Sequence, residues 1–123
     1  ALSGDYGITW LLSKTIGLSK AKELMFTNDK ISAEEGLRIG LFNRIVEEKE
    51  LYEASFNTAQ NMAQFSPLAL TYMKKNINKA NEINFLEALD NEASALISTS
   101  RSNDHKEGVK AFIEKRKPSF KGN

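Results

Sequence analysis

Few side chains in this sequence can do chemistry, and the first that can is a carboxylate set between glycines. Asp5 lies in Gly4-Asp5-Tyr6-Gly7, directly ahead of an apolar helical run. A carboxylate in such a turn can accept a proton from an acidic carbon, or it can simply cap the helix by accepting from the first unpaired N–H groups. Both readings stand on the residues alone. Trp10 follows closely enough to wall a pocket beside Asp5, or to be buried against a neighbouring layer. His105, the one histidine, stands next to Asp104 at a helix start with no second ligand at metal spacing, which describes an exposed residue near a cap. With no cysteine in the chain there is no thiolate nucleophile, no disulfide framework and no sulfur metal site, so no metal is expected.

Charge is unevenly spread. From Arg101 to Asn123 there are seven Lys or Arg against three acids, while the preceding residues carry ten against thirteen. A basic end of this kind suits phosphate. Lys74, Lys75 and Lys79 form a second basic flank, but Glu82 and Glu87 follow closely, so a solvated helix face is expected there and no nucleic-acid surface.

Length and composition bound the remaining choices. The 123 residues are 41% hydrophobic and 27% charged with a net charge of +1, the balance of a folded globular chain rather than a disordered one. No apolar run approaches the roughly 20 residues that span a bilayer, and the first residues lack the basic and apolar regions of a secretion signal. A cytoplasmic protein is expected, or an organelle matrix protein if a targeting segment has been removed.

Helix signals dominate the elements that must position these residues. Thr9 to Ile16 is a first helix that Gly17 can end, and Ser19 is placed to cap a second carrying Ala21, Leu24 and Met25 on one face. Ser32 and Glu35 form a capping box, and Gly40 follows as a left-handed C-terminal cap. Leu41 to Val46 reads as the one short strand. Beyond it, Glu48 to Phe65, then Ser66-Pro67 with a stripe of Tyr72, Met73, Ile77 and Ala80, then Asn84 with Leu89, Ala93, Leu96 and Ile97, all repeat at helical spacing. Asp104 with Glu107 reads as another capping box for a last helix presenting Val109, Phe112 and Ile113, which Pro118 stops.

The apolar residues overfill these helices. Ile8, Trp10, Leu11, Leu12 and Ile16 cannot share one narrow seam, and Phe26 and Phe42 also read as core. Either the protein associates with itself or a layer supplied from elsewhere covers this surface.

The run from Gly4 to Val46, with its Gly-rich loop, TWLL helix, IGLSKAKELMFT helix and KISAEEGLRIGLFNRIV, resembles the second half of the crotonase superfamily of enoyl-CoA hydratases and isomerases. The tail HKEGVKAFIEKRKPSF resembles that family's C-terminal helix. The resemblance implies a mainly α fold, the C-terminal helical region of a ClpP/crotonase-like spiral, with at most one or two short strands. It implies one C-terminal segment over 1–123, with the N-terminal ββα spiral absent. Residues 1–46 then hold the active-site loop, helices and short strand, and residues 47–123 the trimerisation and CoA-contact helices.

The family acts on acyl-CoA thioesters, with two backbone N–H groups holding the thioester oxygen as an enolate forms, so coenzyme A is expected as part of the substrate and no tightly bound cofactor. Expected partners are the missing N-terminal half and further copies in a homotrimer or hexamer. A carboxylate at the position of Asp5 resembles the isomerases, where it moves a proton between carbons, and the aryl-CoA dehalogenases, where it is a nucleophile. Phe112 and Lys115 match an aromatic and a lysine that approach the adenine and phosphates of CoA bound in a neighbouring subunit; three residues apart, they would share a helix face. The blander alternative makes Phe112 core and Lys115 to Lys117 a solvated helix end. The expected activity is a double-bond shift in an enoyl-CoA thioester by the parent enzyme, the 123 residues alone being inactive. The alternatives are a hydratase, in which Asp5 only shapes the pocket, and a non-catalytic helical oligomerisation or binding piece.

Overall fold

The computed structural model describes residues 2–123, and the chain divides into two compact units, the first running to Leu51 and the second spanning Tyr52–Asn123. Among the described residues the regular structure is helical, without strands. The first unit holds α1 (Ile8–Ile16), α2 (Leu18–Thr27), α3 (Ala33–Arg38) and a 3₁₀ turn (Glu48–Glu50). Helices α4 (Leu51–Met62), α5 (Pro67–Lys79), α6 (Phe85–Ser100) and α7 (Asn103–Ile113) follow.

In the first unit α1 and α2 pack as a hairpin joined by Gly17 alone, whose φ of 81° only glycine adopts without strain. Gly17 therefore takes the capping position expected of Ser19, which lies inside α2. Ser32 caps α3 as its spacing requires, its hydroxyl accepting from the Glu35 N–H at 3.1 Å. Helix α3 ends in a Schellman turn: the Gly40 N–H donates to Leu37 O and the Leu41 N–H to Gly36 O, with Gly40 at φ 78°. The strand expected over Leu41 to Val46 does not form. The Phe42 N–H is turned back onto Gly36 O at 3.2 Å, so the backbone donor that would open a ladder is spent on α3. Phe42 lays its ring over the buried Gly36, where a Cβ would meet it at 2.5 Å.

In the second unit Ser66 and Asn84 cap α5 and α6 through the N–H groups of Ala69 and Glu87. Helices α5, α6 and α7 pack in sequence, but through small residues rather than the bulky stripes read from the periodicity. The covered line of α6 is Ala88, Asn91, Ala95 and Thr99, while Leu86, Leu89, Leu96 and Ile97 are exposed. On α7 the covered line is Asp104, Gly108 and Ala111, and Val109, Phe112 and Ile113 face outward. Among the described residues Ala21, Ala95 and Ala111 are the buried hydrophobics, so close backbone approach holds the helices together and leaves most of the large side chains uncovered.

Candidate functional site

Asp5 occupies a tight turn that the following helix does not consume. The Ile8 N–H donates to Asp5 O at 3.0 Å across Tyr6 (φ 50°) and Gly7 (φ 78°), the two consecutive positive φ values of a type I′ turn. The N-cap of α1 is Gly7, and no side chain closes it. Asp5 is thus not the capping residue that its spacing allowed. Its exposed carboxylate enters no ion pair among the described residues. Gly4 anchors the turn from the other side: a Cβ there would strike Ile8 at 2.6 Å and meet Met25 at 3.0 Å, so the loop lies directly on α1 and α2. Tyr6 holds a left-handed backbone at a cost of about 1–2 kcal/mol, and such strain persists where surrounding structure imposes it. Trp10 belongs to the same unit and is 53% exposed, one ring face covered by the Lys14 ammonium 5.1 Å from its centroid.

Phe112 and Lys115 lie in the second unit, and they do not share a helix face. Helix α7 ends at Ile113, and Lys115 is the left-handed residue (φ 52°) of a second Schellman turn, its N–H donating to Phe112 O and that of Arg116 to Ala111 O. Phe112 is 85% exposed within this chain. Glycine fills the equivalent place after α3, and a lysine there carries backbone strain that glycine would not.

The constellation around these residues escaped the sequence reading. Asp104 does not cap α7; Ser102 does, accepting from the His105 N–H at 3.0 Å. Asp104 is instead the one buried charged side chain among the described residues, 3% exposed, and it accepts from the Ser66 hydroxyl at 2.6 Å and from the N–H groups of Lys121 (2.7 Å) and Gly122 (3.0 Å). Burial pushes its carboxyl toward the neutral form, and the Ser66 hydroxyl and two backbone donors outweigh that, holding it below its ordinary range. Glu107 grips the Arg116 guanidinium with both oxygens at 2.6 and 3.0 Å and also accepts from the Ser119 N–H; these hold its carboxyl down to about 2. Arg116 is further paired with Glu114 at 2.6 Å.

Asn123 O accepts from the N–H groups of Asn103 and Asp104, so residues 114–123 double back along α7 as a strap fastened at its first turn. The signal was present in the sequence: Asp104, Gly108 and Ala111 make a small-residue line along α7 that a returning segment can cover.

Hollows between the helices and along the strap mark the second unit. The groove between α5 and α6, lined by Tyr72, Met73, Ile77 and Leu96 among others, contains no candidate site residue, although the buried Asn91 amide nitrogen within it has no partner. A pocket of about 440 Å³ at the strap is walled by Phe112 and Phe120, with Ala69, Thr99, Gly108 and His105 also lining it. Among the described residues no group of three His, Asp or Glu could hold a metal ion, and no helix is long and apolar enough to cross a membrane.

Comparison with known proteins matches residues 2–123 to a family described as enoyl-CoA hydratase/isomerase. The short-chain-enoyl-CoA hydratase of Clostridium acetobutylicum is 38% identical over 116 residues, covering 94% of this chain and 44% of the relative. The mitochondrial enoyl-CoA hydratase of Pongo abelii is 36% identical over 115 residues, 94% of this chain and 40% of the relative. A crystal structure of enoyl-CoA hydratase from Bacillus anthracis superposes with a TM-score of 0.94 at 32% identity, covering all of this chain and 48% of that one. The chain thus spans less than half the length of each of these proteins.

Proposed function

Because the chain belongs to the enoyl-CoA hydratase/isomerase family, we propose that it works as the C-terminal, helical part of an acyl-CoA enzyme that shifts a double bond in an enoyl-CoA thioester, with Asp5 as the base. One observation carries the reading: the Asp5 carboxylate is presented on a strained turn while the adjoining helix is capped by Gly7 without it. In the proposed reaction Asp5 removes a proton from the carbon next to the thioester carbonyl, the electron pair moves into the dienolate, and the same carboxylic acid returns the proton to the far carbon of the dienolate. No water is added and no oxidant is needed. The oxyanion would be held by backbone donors of the remaining part of the enzyme, where each donor is worth about 3–4 kcal/mol. Trp10 would wall the acyl site, and Phe112 and Lys115 would meet the nucleotide end of CoA. Coenzyme A enters as part of the substrate, and the exposed apolar faces support assembly with the remaining half and with further copies, in cytoplasm or organelle matrix.

A hydratase is the second reading, favoured by the relatives described above, which are named as hydratases. Incubating the intact enzyme with a 3-enoyl-CoA and with a 2-enoyl-CoA in ¹⁸O-water separates the two. Double-bond migration without label, lost in Asp5→Asn, supports isomerisation. Labelled 3-hydroxyacyl product at undiminished rate in Asp5→Asn rejects a role for this carboxylate.

A further inference from the structure

We infer that Phe120, which lines the pocket at the strap together with Phe112, is a second aromatic binding residue for the base of a phosphate-bearing nucleotide. The inference rests on the reading of Phe112 and Lys115 as contacts for the nucleotide end of CoA. Both phenylalanines line the pocket of about 440 Å³, a size that accepts a purine. Phe112 is nearly bare, whereas Phe120 is half-buried with its ring over Gly108, 3.6 Å from where a Cβ would stand.

Ring position is set by the strap rather than by a helix. Ser119 N–H is tied to Glu107 ahead of Phe120, and the N–H groups of Lys121 and Gly122 are tied to Asp104 behind it. A ring fixed on both sides of its own backbone loses little freedom when a base stacks on it, which is what a binding aromatic requires. Charge complements the ring pair. Arg116 is neutralised by Glu107 and Glu114, while Lys115, Lys117 and Lys121 form no ion pair among the described residues and are available to phosphate. The Asp104 carboxylate also lines the pocket, but its oxygens are occupied by three donors.

The test is titration of the intact enzyme with adenosine 3′,5′-bisphosphate, followed by calorimetry and by NMR contacts between base and ring protons. Phe120→Leu, which keeps an apolar contact on Gly108, should weaken binding by about 5-fold or more, and Phe120→Tyr should restore it, since stacking on one aromatic is worth about 1–3 kcal/mol. Contacts from the base to the Phe120 ring in the unsubstituted enzyme should accompany this, and they supply the answer if Phe120→Leu does not fold. Wild-type affinity in Phe120→Leu, or base contacts to Phe112 without Phe120, with Phe112→Leu weakened, overturns the inference and leaves the CoA reading standing. No binding by the intact enzyme, or wild-type affinity in Phe112→Leu as well, overturns both.

Discussion

The hydroxyl of Ser66 donates to Oδ2 of Asp104 at 2.6 Å, closing 38 residues of chain between the start of α5 and the first turn of α7. The same hydroxyl oxygen accepts from the Ala69 N–H, so one side chain caps a helix and satisfies a buried carboxylate. Removing it leaves both a helix donor and an acceptor short. Ser66→Ala should therefore cost about 1–2 kcal/mol in urea unfolding, and Ser66→Thr should recover most of it. A loss below a few tenths of a kcal/mol would mean that the contact does not persist in solution.

Acid should loosen the strap. The Glu107 carboxyl is depressed from 4.5 to about 2, chiefly by the Arg116 guanidinium and then by the Ser119 N–H. Its folded value lies below its unfolded one, so its stabilising contribution is complete above about pH 4.5 and disappears as the pH falls from there toward 2; Asp104, also lowered, acts in the same direction. Thermal melts between pH 2 and 7 should show stability falling across that window, with a shallower fall in Glu107→Gln. An identical slope in the variant would assign the acid sensitivity to other groups.

Two glycines inside helices should respond oppositely to alanine. A Cβ at Gly36 would overlap the Phe42 ring at 2.5 and 2.6 Å, so Gly36→Ala must displace the segment after α3 and should cost about 1–3 kcal/mol. At Gly108 the nearest atoms of Phe120 stand at 3.6 and 3.7 Å, an ordinary contact. Gly108→Ala should gain up to about 1 kcal/mol from helix propensity. Denaturant midpoints of the two variants moving in the same direction would contradict the packing described for one of these sites.

Lys115 should show stability and binding in opposition. Its φ of 52° occupies the place where a Schellman turn favours glycine. Lys115→Gly should raise stability by about 1 kcal/mol, by relief of backbone strain, while weakening affinity for CoA in the intact assembly. Calorimetric affinity at low salt together with a melting curve checks both halves, and unchanged affinity would remove Lys115 from the site.

The local elements were legible because their signals need only neighbours in sequence. Ser32 to Glu35, Ser66 to Pro67 and Asn84 each place a cap within one helical turn, and the structure shows helices starting there. Where several local solutions competed, spacing could not choose. Asp5 and Asp104 were both plausible caps, yet Gly7 and Ser102 take those places. The strand signal in Leu41 to Val46 was a pattern of apolar residues, and a strand needs a ladder partner that this segment does not meet.

By itself the sequence determined the helical character, most helix starts and the family, because capping chemistry, 3.6-residue periodicity and a long ordered pattern of residues are properties of contiguous chain. Tertiary structure alone decided which helix faces touch and what the charged residues near α7 do. Periodicity identifies an apolar stripe but not its partner, and here Ala95, Gly108 and Ala111 make the contacts while Leu96 and Phe112 stay bare. The Asp104 carboxylate found its partners at Ser66, Lys121 and Gly122, residues far from it in the chain that only the folding back of the strap brings within hydrogen-bond reach.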